Sequence, residues 1–169
     1  MSDDARRLNI EYEKIYTKEE VALDIISCIQ NIEQYDLIID PFAGSGSFSR
    51  QIKGGLGYDI MPDHPSIIEK DFFTFEPFNR KVLIITWTPY GRTYDFIIKF
   101  VKHLETLNVY HIGILFDPNM DTLFRFFKPI KWKLLFKKYL GNDMSTFMGE
   151  STSMDTAFFL LENRSYKDL

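Results

Sequence analysis

Apolar residues along this chain follow two patterns, one at helical spacing and one in short unbroken runs. Val21, Ala22, Ile25, Ile26 and Ile29 recur at helical spacing and predict a helix with one buried face. Thr17-Lys18-Glu19-Glu20, just before them, reads as a capping box whose hydroxyl and carboxylate satisfy the first free backbone donors. Tyr35 to Asp40 (YDLIID) is a short apolar run, the mark of a strand buried on both faces. Phe42 to Ser47 is a Gly/Ser turn, and SFSRQI after it reads as the start of a helix. Further strands are predicted at Gly57 to Ile60, Lys81 to Thr86 (KVLIIT) and His111 to Phe116 (HIGILF). Helices are predicted from Tyr94 to Leu107 and from Met120 to Phe127. Two final strands, Lys131 to Lys137 and Thr156 to Glu162, follow one another without a helix and suggest an antiparallel hairpin at one edge.

Strands that alternate with helices imply an α/β fold on a mostly parallel sheet. No repeat, low-complexity tract or Gly/Ser linker divides the 169 residues, so one domain over 1–169 is expected. Residues 1–14 read as a flexible tail, and the polar, Met-containing stretch 141–155 as a mobile lid or target-contact loop.

Composition narrows the function more than it names one. The opening MSDDARRLNIEYEK has no apolar signal core and no run suits a membrane span, which points to an intracellular protein with no membrane partner. Cys28 is the only cysteine, excluding an internal disulfide framework, and His64, His103 and His111 lack ligand spacing, so no metal is expected. A net charge of −4 does not advertise a nucleic-acid binder. One local exception is the run of Arg125, Lys128, Lys131, Lys133, Lys137 and Lys138, interleaved with Phe126, Phe127, Trp132 and Phe136. Packing is the better reading of those aromatics; the lysines fit a solvated face and a phosphate-binding one equally.

The turn Asp40-Pro41-Phe42-Ala43-Gly44-Ser45-Gly46-Ser47-Phe48 lies where a buried strand ends, the crevice in which parallel sheets bind ligands. A Walker loop needs a lysine there, and the turn has none. A dinucleotide fingerprint needs Gly or Ala at position 49, which is serine. DPFAGSGSFS instead resembles the first motif of class I S-adenosyl-L-methionine (SAM)-dependent methyltransferases, particularly those that modify amino groups of nucleobases such as adenine N6. The resemblance extends from Tyr16 to about Glu162.

It implies a Rossmann-like class I methyltransferase fold, a mostly parallel seven-stranded sheet with an antiparallel edge strand and helices on both faces. It implies SAM as cofactor, with Asp40, Phe42, Gly44 and Gly46 around the methionine part and Asp59 on the ribose hydroxyls. Asp71 and Phe72 match the pair that contacts adenine, and Tyr16 and Thr17 the segment that closes over the methionine carboxylate.

The same resemblance predicts a catalytic loop after the fourth strand, read Asp or Asn, Pro, Pro, aromatic. Its acceptors draw protons from a poorly nucleophilic base amine while the aromatic ring stacks on the flipped-out base. Here the loop is Trp87-Thr88-Pro89-Tyr90-Gly91-Arg92. Pro89 and Tyr90 match, Tyr90 at the stacking position. Trp87 stands in place of the acid or amide, and an indole only donates. Thr88, through its carbonyl and hydroxyl, is left as the acceptor. RNA or DNA is the expected substrate, with a partner protein able to supply target recognition. A catalytically silent scaffold is the rival reading, and transfer to a protein side chain a third.

Overall fold

The computed structural model describes residues 15–88, 94–147, 150–151 and 154–168. Seven strands form the main sheet: β2 (Leu37–Asp40), β3 (Leu56–Asp59), β4 (Ile68–Glu69), β5 (Val82–Trp87), β6 (His111–Phe116), β7 (Trp132–Gly141) and β10 (Thr156–Asn163). Their spatial order is β4-β3-β2-β5-β6-β10-β7. The first five of these run parallel, while β10 pairs antiparallel with both β6 and β7. The expected hairpin is therefore present, but its antiparallel member β10 lies one place in from the edge and β7 is the edge strand. A second, three-stranded sheet pairs β1 (Ile15–Thr17) with β8 (Ser145–Phe147) and β8 with β9 (Glu150–Ser151), all antiparallel.

The apolar runs became strands because both faces of the sheet are covered. Along β5 the side chains alternate between two cores, Val82 and Ile84 on one face, Leu83 and Ile85 on the other, all fully buried. The first core lies beneath α2 (Tyr94–Leu104) and α3 (Met120–Phe126), with Phe100, Leu104, Phe127 and Trp132 among its members. The second lies beneath α1 (Glu19–Ser27), where Ala22 and Ile25 meet Ile38, Phe158 and Leu160. Helices thus cover both faces, as expected. Among the described residues no helix is long and apolar enough to cross a membrane.

Two local expectations are corrected. No capping box forms at α1: its N-cap is Lys18, without a side-chain cap, because Thr17 is the last residue of β1 and 6% exposed. Strand pairing with Ser145 takes Thr17 out of the cap position. After the Gly/Ser turn there is no α-helix, only a 3₁₀ turn at Ser49–Gln51, whose flanking Phe48 and Ile52 plug the second core. In the 141–155 stretch, residues 145–147 and 150–151 are the strands β8 and β9.

The basic-aromatic run also resolves. Phe127 and Trp132 are buried, as packing required, while Phe136 is 37% exposed. Lys131 pairs with Glu105, Lys133 with Glu162 at 3.8 Å and Lys138 with Asp24 at 2.6 Å. Lys137 donates to the Pro118 carbonyl. These partners neutralise much of what looked like a phosphate-binding stripe.

Phe158 is fully buried at the centre of the second core. Phe158→Ala should lower unfolding stability by about 3–5 kcal/mol, read from urea denaturation midpoints. A loss under about 1 kcal/mol would mean that this core is loosely packed.

Candidate cofactor site at the carboxyl ends of the strands

The Asp40 turn is stitched to the end of β3 and the residues after it by two backbone hydrogen bonds and one to a side chain. Ala43 N–H donates to the Tyr58 carbonyl at 2.9 Å, and Asp63 N–H to the Gly44 carbonyl at 3.1 Å. Gly44 N–H donates to Asp59 Oδ2 at 2.8 Å, while Asp59 Oδ1 accepts from Met61 N–H at 2.8 Å. The two acids singled out in the sequence, on separate strands, are thus joined through one loop. Gly44 and Gly46 have φ of +53° and +89°, a region that a side chain disfavours. A Cβ on Gly44 would lie 2.9 Å from the Tyr16 ring, so the glycine also lets β1 come down on the turn.

Tyr16 crosses above this turn and its hydroxyl donates to Asp63. Burial, with Asp63 alongside, pushes the Tyr16 phenol above its ordinary pKa, so it stays protonated. Lys18 ties the same segment to the residues just before β8, its N–H to the Met144 carbonyl and its ammonium to Asp143 at 2.6 Å. The small sheet thereby forms a cover over the Gly turn, with Tyr16 as its contact point.

Asp40 closes β2 and is 2% exposed. Its Oδ1 accepts from the Phe42 N–H at 3.1 Å and from the Thr86 hydroxyl at 2.6 Å. Burial raises its pKa to about 7; the two hydrogen bonds oppose that rise and the nearby Asp59 charge adds to it. Thr86 is the residue that sequence reasoning missed. It is fully buried near the end of β5 and fastens that strand to the end of β2. A threonine inside KVLIIT was the available signal, since a polar residue in a buried run needs a partner.

The remaining sites divide. Phe42 packs among Phe72, Phe96 and Phe100, with ring centroids 5.4–5.9 Å away, and so anchors the turn on the first core. Phe72 is 1% exposed and its ring belongs to the same aromatic cluster. Asp71 is exposed and caps the 3₁₀ turn Phe72–Thr74, accepting from Phe73 N–H at 2.9 Å. Trp87 ends β5, opposite Leu115, and packs against the second core. Thr88 is 5% exposed. Pro89 and Tyr90 lie outside the described residues.

No protein-family model matches the sequence, and no curated protein does. Solved structures match the fold. A candidate RNA methyltransferase from Pyrococcus horikoshii is similar with a TM-score of 0.70 at 11% identity, over 91% of this chain and 88% of that one. The magnesium protoporphyrin IX methyltransferase of Synechocystis, with SAM bound, gives 0.59 at 10% identity, over 86% and 77%. The fold is that of class I SAM-dependent methyltransferases. The 23S rRNA methyltransferase ErmE shares it, with a TM-score of 0.55 at 16% identity over 92% of this chain and 71% of that one. In this methyltransferase fold the β2 and β3 ends, with the turn between them, occupy the crevice at the carboxyl edge of the sheet.

The Asp40 carboxyl gives a pH signature. Its folded pKa of about 7 lies above the ordinary 3.8, so the native state holds a proton that the unfolded chain has lost. That contribution to stability is fully present below about pH 4 and is lost as pH rises to about 7. Asp40→Asn should abolish it, so the variant should gain stability relative to wild type between about pH 4 and 7. Parallel urea midpoints for both proteins across that range would contradict the assignment.

Proposed function

We propose that this chain binds SAM at the Asp40–Asp59 crevice and transfers its methyl group to RNA or DNA, at a nucleobase amino group of the adenine N6 type. The observation that carries the proposal is the Asp59 carboxylate held against the Gly44 N–H by the DPFAGSG turn. The residues fit the cofactor. Left-handed glycines keep side chains off the turn, an acid stands at the end of the second parallel strand, and a second acid is buried beneath. SAM supplies, when bound, a methyl group made electrophilic by its sulfonium.

The chain's own residues do the rest. Asp59 accepts the ribose hydroxyls, each carboxylate oxygen having two lone pairs. Asp40, fixed by Thr86, provides negative charge beneath the cationic centre. Asp71 and the Phe72 backbone take the adenine edge, since the Phe72 ring is committed to the core. Tyr16 covers the methionine end, with Thr17 holding the strand register beside it. On the acceptor side, Thr88 accepts hydrogen bonds from the amine through its carbonyl and hydroxyl, and Tyr90, next to Pro89 in the sequence, stacks on the base. Solved relatives in fold that include ErmE, named as a 23S rRNA methyltransferase, make RNA the first substrate to try. An intracellular setting and a partner protein for target recognition complete this reading.

A second reading, a silent methyltransferase fold kept as a scaffold, draws on Trp87. Its indole packs on the second core and offers no acceptor at the place where an acid or amide would stand. Losing such an acceptor costs on the order of 10²–10³ in rate.

Calorimetric titration with SAM separates the parts of the proposal. Wild type should bind, and Asp59→Asn should weaken affinity on the order of ten- to a hundredfold. SAM affinity should rise with pH up to about 7, as the Asp40 carboxyl ionises, and Asp40→Asn should flatten that dependence. Labelled methyl should then pass to RNA. Binding without transfer to any nucleic acid would favour the scaffold, and no SAM binding would sink the cofactor assignment.

A further inference from the structure

At the opposite rim of the sheet, between the end of α1 and β7, lies a cleft of about 490 Å³. That volume falls within the range of small-molecule sites. Tyr35 precedes β2 and His111 opens β6, so the cleft sits at the amino ends of these two strands, and Asp40 lies at the carboxyl end of β2. At about 3.3 Å per strand residue the two sites are roughly 15–20 Å apart. Nothing in the methyl-transfer proposal uses this cleft, and the inference does not rest on that proposal.

Its lining is unusual for a sheet face. Leu160 and Leu135 give an apolar wall, Gln30 and Asn31 bring amides, and among the described residues no Asp, Glu, Lys or Arg lines it. Phe136 is 37% exposed, although its neighbour Phe158 is fully buried. His111, 5% exposed, shares a hydrogen bond of 2.6 Å between its Nδ1 and the Tyr35 hydroxyl. Its Nε2 is buried without a hydrogen bond, the nearest acid being Glu162 Oε2 at 3.5 Å. Burial lowers the imidazole pKa below its ordinary value, which keeps the ring neutral. The two lysines nearby on β7 are engaged, Lys138 by Asp24 and Lys133 by Glu162.

We propose that this cleft is a second ligand site, for an uncharged heteroaromatic ring with hydrogen-bonding edges, as a nucleobase has. A charged ligand would be desolvated there without a counter-ion, and an aliphatic one would strand the amides. A flat ring can lie on Phe136 and turn its edges to Asn31 and Gln30, as single-stranded nucleic acid is held on aromatic platforms. The base can come from a free nucleoside or from a strand of RNA, and the chemistry of the cleft is the same for both.

The test is an NMR titration of the whole chain with uridine, adenosine and a short single-stranded oligouridylate, with S-adenosylhomocysteine at saturation. Uridine reads this cleft directly, so its result stands whether or not the cofactor crevice binds. Signals from His111 and Phe136 should shift and saturate. Phe136→Ala should weaken nucleoside binding roughly tenfold. Asn31→Gly, which keeps the left-handed backbone at φ 51°, should weaken it as well. An oligonucleotide that binds much more tightly than uridine identifies RNA as the source, and equal affinity identifies a free nucleoside. Absence of any shift at millimolar ligand, or unchanged affinity in both folded variants, overturns the proposal.

Discussion

The buried hydrogen bond from Thr86 to Asp40 is the contact on which this architecture turns. It is short, at 2.6 Å, and neither residue has appreciable access to water. A carboxyl at that depth is costly unless its lone pairs are met. The sequence meets them with the Thr86 hydroxyl from β5 and the Phe42 N–H from the following turn. Both partners come from segments whose position matters for a ligand at the carboxyl edge. Satisfying Asp40 therefore fixes where β5 ends relative to the Gly turn, and hence where Thr88 emerges.

The turn is held from its other side by Asp59, which binds the Gly44 N–H. Asp40 and Asp59 repel one another when both are ionised, and this is part of what raises the Asp40 pKa. A cation placed in the crevice relieves both the repulsion and the burial cost. The crevice is thus strained electrostatically in a way that a sulfonium can discharge, and its cover is ready-made. Tyr16 rests on Gly44 because β1 is paired to β8, so the segment following β7 helps to position the lid over the cofactor turn.

Much of this was legible in the sequence for identifiable reasons. YDLIID, KVLIIT and HIGILF are continuous apolar runs, and only strands covered on both faces need them. DPFAGSG carried the crevice because glycines at 44 and 46 permit the left-handed turn that is found. What was illegible depended on distant pairing. Thr17 has the chemistry of a cap, but its fate was decided by Ser145, 128 positions away, and β1 followed from that pairing. Phe72 matched a motif, yet the ring direction was set by Phe42 and Phe100 packing around it. SFSRQI has a helical pattern that ends after one 3₁₀ turn, since Phe48 and Ile52 both dive into the core.

Trp87 shows how packing and chemistry compete for one position. At the end of β5 a side chain can turn outward as a proton acceptor or back onto the second core. An indole gains from the second choice, because its large ring is stabilised by burial and it has no acceptor to offer. Trp87 therefore packs on the second core and offers no acceptor at the end of β5. In the methyl-transfer proposal the acceptor role falls on Thr88, the residue that follows the β5 strand anchored by Thr86. A carbonyl aimed at developing charge is the kind of group that stabilises a transition state. The scaffold and the enzyme thus share every feature of this fold except one, the direction in which the Thr88 oxygens are presented to the acceptor.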